Sequence, residues 1–385
     1  MKKSSDDLSP AAALLRDLIQ CPSVTPLEGG ALGVLQRELQ ALGFTVTRKV
    51  FSSPDTPDVE NLYARLGDSA PNICFAGHTD VVPVGDEAAW SQPPFQGEIA
   101  DGMMIGRGAV DMKGGIACFV AAVKQMLVGG MPDQGSISLL ITGDEEGPAI
   151  NGTKAILEWL MEQGEQIDAC VVGEPTNPDV IGDAIKIGRR GSVSGTIQVT
   201  GTQGHAAYPH LADNPARGIV ALTQALLNRP FDQGTDDFQP TNLEVTSIDI
   251  GNPAFNVIPN SASARFNIRF NDTWTADTVK AEIESRLATG SHDASLRPDL
   301  EEGPRDPVRY DVQYEKRPSH VFLTEDEQLI KSLSTAVQKV TSRTPGLSTG
   351  GGTSDARFIK DVCPVVEFGL VGQTMHQIDE RVALA

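Results

Sequence analysis

Five segments of the chain place acidic or histidine residues directly after an apolar strand pattern or inside a glycine-rich loop. They are GHTDVVP (77–83), GRGAVDMKGG (106–115), TGDEEGP (142–148), GEPT (173–176) and TMHQID (374–379). This recurrence restricts the architecture, because ligands of an open α/β sheet bind at the carboxyl ends of its strands. The flanking patterns agree with such a sheet. Leu32, Leu35, Leu39 and Leu42 follow helical spacing, with Gly43 as the stop. Short β-rich runs at 72–76, 137–142 and 169–173 alternate with helical patterns at 116–127 and 154–161. Helices alternating with buried apolar strands predict a three-layer α/β domain with a largely parallel sheet.

The pattern changes near Gly191. Residues 192–200 read as a strand, and Asn214-Pro215 reads as an N-cap and first-turn proline opening a helix through Leu227. Strands at 243–250 and 262–270 follow; in the second, Ala264, Phe266, Ile268 and Phe270 alternate with Arg265, Asn267 and Arg269. A helix with Val279, Ile283 and Leu287 on one face precedes a strand near 309–314. The order βαββαβ is ferredoxin-like. The polar, proline-containing stretch 291–307 reads as a surface loop, and a capping box from Thr324 to Glu327 opens another helix. A buried strand at 364–368 closes the pattern. At 385 residues the chain has room for two domains. The expected division is a catalytic domain from 1–190 and 321–385, with an inserted α+β lid and dimerisation domain at 191–320.

Composition narrows the function. A net charge of −20 argues against nucleic acid or an anionic membrane as partner. No apolar run is long enough to span a bilayer, and the lysines of MKKSSDDLSP lack an apolar segment behind them, so the expected location is the cytoplasm. Cys21, Cys74, Cys118, Cys170 and Cys363 form no C-x-x-C pair and read as reduced, mostly buried thiols.

Taken singly, a His-x-Asp is a surface loop and a Glu-Glu after a strand is a solvated turn. Together the five clusters supply His78, Asp111, Glu146, Glu174 and His376, imidazole and carboxylate donors that suit zinc. Two ions about 3.5–4 Å apart need a bridging carboxylate and further ligands for each. Glu145 is left over beside a candidate ligand, where a base for water is needed. Asp80, two residues along an extended segment from His78, points to the same side and is expected to accept the imidazole's other N–H.

The series GHTD, DMKGG, DEEG, GEPT and a late histidine resembles the metallo-aminoacylase and peptidase family that includes carboxypeptidase G-type enzymes and acetylornithine deacetylase. It covers nearly the whole chain, in order. Fuller strings, GDEEGPAINGT, GRRGS, NVIP and GGGTSDARF, narrow the resemblance to the desuccinylase branch of that family. The resemblance implies two zinc ions per subunit, one on His78 and Glu174, the other on Glu146 and His376, with Asp111 bridging. Cobalt or manganese also fit such donors. It further implies Glu145 as general base and acid, Asp80 as supporting carboxylate, and a cis peptide after Asp111. His205 and Asn256 would act from the second domain, His205 at the site of the other subunit of a homodimer.

The implied substrate is a small anion, N-succinyl-LL-2,6-diaminopimelate, cleaved to succinate and LL-diaminopimelate for lysine and cell-wall synthesis. Its carboxylates would meet Arg189, Arg269 and Arg357, with Gly352 and Thr353 adding a backbone N–H and a hydroxyl. Arg190 and Arg265 read as structural or solvated. The rival readings are an acetylornithine deacetylase or dipeptidase on the same scaffold and, from another class, a non-catalytic binding relative. Two departures from the family pattern stand out. Gly372 replaces an asparagine, so a substrate contact is lost or passes to Gln373. The sequence also ends nine residues past His376, where the family continues into a closing helix, so a shortened chain is expected.

Overall fold

The computed structural model describes residues 8–131, 134–293, 306–316 and 318–384. The first seven residues, and most of the loop expected at 291–307, lie outside the described residues. The chain divides into two compact units. One comprises Met1–Gly188, Leu323–Ser348 and Ser354–Ala385; the other comprises Arg189–Phe322 and Thr349–Thr353.

The first unit is an α/β domain around an eight-stranded sheet. Its strands run in the order Thr45–Phe51, Val59–Leu66, Ser136–Thr142, Asn72–His78, Ala169–Val172, Val365–Glu367, Ala184–Lys186 and Gly346–Ser348. Leu62, Ala64, Phe75, Leu139 and Ile141 share one core with the helices Pro10–Ile19, Ala31–Ala41 and Lys113–Val128. The alternating residues Tyr63, Cys74, Ala76 and Leu140 are buried as well, so the sheet is covered on both faces. Leu32, Leu35 and Leu39 are fully buried, each contributing about 1.5–3 kcal/mol. Their helix opens on the Glu28 carboxylate, which accepts from the N–H groups of Gly30, Leu32 and Gly33. It stops at Gly43, whose φ of 91° suits glycine.

The sheet is less parallel than expected. Its four central strands, from Ser136–Thr142 to Val365–Glu367, are parallel, but Thr45–Phe51, Val59–Leu66 and Ser136–Thr142 pair antiparallel. The connection between the first two strands is too short for a crossover. Thr45–Phe51 is an edge strand carrying Arg48 and Lys49, so it lacks the apolar run of a buried strand.

The parallel centre places the site. Register sets His78 opposite Thr142 and Ala76 opposite Val172, so these three strands end along one edge of the sheet. A Cβ on Gly115 would stand 2.7 Å from the Gly173 carbonyl oxygen, which is why helix Lys113–Val128 can seat so close to the strand end that carries Glu174.

The helix expected from Thr324 begins later, at Glu327, and its cap is Asp326, whose carboxylate accepts from the Leu329 N–H at 2.7 Å. Thr324 is spent elsewhere. Its N–H bonds the Ile187 carbonyl and its hydroxyl bonds the Val365 carbonyl, which holds this stretch extended. Asp326→Ala is therefore expected to cost about 1 kcal/mol. Glu327→Ala should stay within about 0.5 kcal/mol, as measured by denaturant midpoints.

The second unit is a four-stranded antiparallel sheet in the order Asn242–Asp249, Ser261–Phe270, Gly191–Thr200 and Tyr310–Tyr314, with helices Pro215–Leu227 and Ala276–Ser291. Chain order and sheet order are those of the ferredoxin-like arrangement. Ala264, Phe266, Ile268 and Phe270 face the core, packed with Val279, Ile283 and Leu287. Asn214 caps its helix by accepting from the Ala216 N–H.

All five cysteines are free, and four are buried; Cys118 is exposed, on the outward side of helix Lys113–Val128. Among the described residues, no helix is long and apolar enough to cross a membrane.

Candidate metal centre

His78 terminates a central strand and is 1 % exposed. Its Nδ1 lies 2.9 Å from the Asp80 backbone carbonyl and 3.6 Å from the Asp80 carboxylate. The carbonyl thus takes the imidazole N–H that the carboxylate was expected to accept. The carboxylate is occupied otherwise, by the Glu145 and Glu146 N–H groups at 3.3 and 3.0 Å and by the Thr25 hydroxyl at 2.7 Å. Asp80 therefore holds the turn that presents the two glutamates. With Nδ1 donating to the Asp80 carbonyl, His78 turns Nε2 to the acidic cluster, where it donates to Asp111 and becomes a lone-pair donor once a cation displaces that proton, an assignment made from this geometry.

Nε2 of His78 stands 3.1 Å from Asp111 Oδ1 and 3.6 Å from Glu174 Oε1. The other Asp111 oxygen stands 3.1 Å from Nε2 of His376, which is 2.8 Å from Glu146 Oε1. One carboxylate thus spans two imidazoles, with Glu174 on the His78 side and Glu146 on the His376 side. Asp111 reaches this position just before helix Lys113–Val128, and its peptide bond to Met112 is cis, as expected.

Two donor trios, His78, Asp111, Glu146 and His78, Glu145, Glu174, have their ligand atoms within 4.8 Å of one another. The second trio contains Glu145, the residue set aside as a base.

The electrostatics match this crowding. Burial opposes charge on Asp111, yet the hydrogen bonds from His376 and His78 hold its carboxyl well below the usual range. Hydrogen bonds to Asp111 and Glu146 push His376 up to about 10. For His78, burial disfavours the cation, but the Asp111 carboxylate outweighs it and the pKa rises. Burial, reinforced by the charge of Glu174, raises Glu145 well above an ordinary glutamate. Four carboxylates around two imidazoles fit a pair of divalent cations held by nitrogen and oxygen donors. Cation binding at such a site displaces the protons that the histidines otherwise share with it.

Of the expected substrate contacts, Arg357 lies in the first unit, on helix Ala356–Ile359, its guanidinium 4.6 Å from the Phe358 ring centroid. Arg189, Arg269, Asn256, Gly352 and Thr353, with His205, lie in the second unit. Arg189 is buried and donates to the Gly352 carbonyl at 3.0 Å, on the segment that also carries Thr353. Arg269 sits opposite Ser192, and burial together with the nearby Arg190 charge lowers its pKa. His205 is exposed, accepts from the Ala207 N–H through Nδ1 at 3.0 Å, and lies beside Asn256, whose carbonyl accepts from the Ala206 N–H. Gln373, offered as a substitute for the asparagine missing at Gly372, has its amide on Asp179 at 2.9 Å.

Two residues beside the cluster are not among the candidates expected from the sequence, Arg107 and Glu380, both buried and joined at 2.8 Å. A signal existed. Arg107 is a charge between two glycines in an otherwise apolar stretch, and Glu380 directly follows the TMHQID segment.

Solved structures share this fold. A staphylococcal tripeptidase (Staphylococcus aureus) aligns with a TM-score of 0.74 and 17% identity, covering 100% of this chain and 95% of that one. An M20 family metallo-carboxypeptidase from Sulfolobus solfataricus gives 0.73 and 16%, covering 97% and 95%. The dipeptidase Dug1p from Saccharomyces cerevisiae gives 0.71 and 16%, covering 99% and 93%. The model of peptidase family M20/M25/M40 matches residues 74–385.

Proposed function

We propose that this chain, which belongs to peptidase family M20/M25/M40, is a cytoplasmic succinyl-diaminopimelate desuccinylase that hydrolyses the amide of N-succinyl-LL-2,6-diaminopimelate. Metal-dependent hydrolysis comes with the family and with the donor set. The observation that carries the chemistry is Asp111, one carboxylate within 3.1 Å of two imidazoles that belong to segments remote in sequence. His78 and Glu174 would hold one cation, Glu146 and His376 the other, and Asp111 both. Bound there, two zinc ions supply Lewis acidity toward a carbonyl oxygen and toward water.

The protein's own groups do the rest. Glu145 takes a proton from the attacking water and returns it to the leaving amine. Asp80 holds the turn that aims it. His205, contributed by the second copy of a homodimer, and Asn256 beside it would donate to the oxyanion, as preorganised donors do. Arg189, Arg269 and Arg357, with Gly352 and Thr353, would hold the substrate carboxylates. The specific substrate rests on this arginine set and on the GDEEGPAINGT and GGGTSDARF strings.

The test is succinate release from N-succinyl-LL-diaminopimelate, run beside N-acetylornithine and a dipeptide, with zinc-loaded and chelator-treated protein. Turnover of the succinyl substrate alone, lost on chelation, is the expected result. Preference for the dipeptide or for N-acetylornithine would keep the metal chemistry and overturn the substrate.

A further inference from the structure

The proposed ligands Asp111 and His376 sit on loops far apart in sequence, and neither loop is held by regular secondary structure at the ligand itself. His376 has a φ of 61° and Asp379 a φ of 57°, left-handed backbone that side chains other than glycine rarely adopt. Such backbone persists only where surrounding contacts over-determine it. Those contacts converge on one buried ion pair. Glu380, fully buried, accepts from the Val110 and Asp111 N–H groups at 2.9 and 3.2 Å through Oε1. Its Oε2 accepts from Arg107 at 2.8 Å. Arg107 in turn donates to the Gln377 carbonyl at 3.2 Å and to the carbonyls of His376 and Pro83, both at 3.4 Å. The Glu380 carbonyl accepts from the Gly106 N–H at 2.8 Å, closing the loops on each other, and the Asp379 carboxylate accepts from the Ser91 N–H at 2.8 Å. The Trp90 ring covers the guanidinium at 5.2 Å.

We infer that Arg107 and Glu380 are positioning residues that lock the Asp111 and His376 loops together and thereby set the affinity of the cation on the His376 side. The inference rests on the metal-centre reading above. Among the described residues, no hydrogen bond joins either side chain to a side chain of the cluster. Glu380 uses both oxygens on backbone N–H groups and Arg107, and Arg107 uses its two Nη groups on Glu380 and loop carbonyls. Their chemistry is that of supporting groups that orient ligands, whose loss costs about 10–100-fold in metal affinity. A buried pair of this kind adds little net stability over an apolar replacement, so its value lies in geometry.

The test titrates metal-free, full-length protein with Zn2+ by calorimetry, and loads the same proteins with Co2+ for visible absorption. His376→Ala identifies the binding event that belongs to the His376 side. In Glu380→Gln, Glu380→Ala and Arg107→Met that event is expected to weaken about 10–100-fold, and the Co2+ bands of that site to shift. The other event, which shares only Asp111 with this pair, should weaken much less. Arg107→Lys keeps the charge on Glu380 but cannot reach several carbonyls at once, so it should restore only part of the loss. Glu380→Gln preserves shape and one acceptor, and it carries the test if Glu380→Ala does not fold. An unchanged His376-side event in folded Glu380→Gln overturns the inference. So does equal weakening of both events with a lowered melting temperature in chelator, the mark of a general packing defect. Wild-type protein that takes up no cation would instead overturn the metal-centre reading itself, and this inference with it.

Discussion

Glu145→Gln is expected to fold, to hold two cations, and to lose about 10²–10⁴-fold in kcat, the usual contribution of a positioned general base. In free energy that is about 2.7–5.5 kcal/mol of barrier. The substitution keeps size and shape, and the bonds that set the turn are made by the backbone: the Glu145 and Glu146 N–H groups donate to Asp80. Only the ability to take and return a proton is removed. The experiment also resolves an ambiguity in the geometry, since Glu145 lies within ligand distance of His78 and Glu174. Two cations by metal analysis, with turnover nearly gone, makes Glu145 the base. Loss of one cation makes it a ligand, and substantial turnover by the fully loaded variant removes it from the chemistry.

How much of this was legible in the sequence follows from how each feature is encoded. Central strands such as Asn72–His78 are continuous apolar runs, and the Ser261–Phe270 strand alternates strictly, so both stand out. Edge strands do not. Thr45–Phe51 is only partly buried and bears charges, while Ala184–Lys186 and Gly346–Ser348 are too short for any period to register. At the site, His78, Asp111, Glu146, Glu174 and His376 were readable because each sits in a recognisable local string, and the structure brings all five together. The partners of Asp80 were not readable. Whether a carboxylate meets an imidazole or two backbone N–H groups depends on a turn more than sixty residues away. Arg107 and Glu380 were missed for the same reason: a residue that orients ligands through backbone atoms leaves no donor pattern in the sequence.

Asp111→Asn is expected to bind at most one cation and to show no turnover above background. Asp111 is the residue whose two oxygens stand 3.1 Å from His78 and from His376 respectively, so its charge serves both halves of the cluster. An amide keeps one oxygen and the shape, but it has no second anionic oxygen to bridge with. His376→Ala should behave differently, removing one cation and sparing the one on His78 and Glu174. Fold damage is separated from cation loss by melting each protein in chelator and in excess Zn2+. A cation at 100 times its dissociation constant stabilises by about 2.7 kcal/mol, and two such sites by about twice that. Wild type should therefore gain a large upward shift in melting temperature on adding Zn2+. His376→Ala should gain about half of it, and Asp111→Asn half or less. In chelator, Asp111→Asn also loses one of its two hydrogen bonds from imidazole, worth about 1.5–3 kcal/mol, and weakens the other. A lower melting temperature there is expected, and it bears on packing alone. The bridging role stands or falls on the Zn2+-dependent increment. If Asp111→Asn took up two cations with the full increment of wild type, Asp111 would not bridge, and the pairing of His78 with Glu174 and of His376 with Glu146 would describe two independent sites.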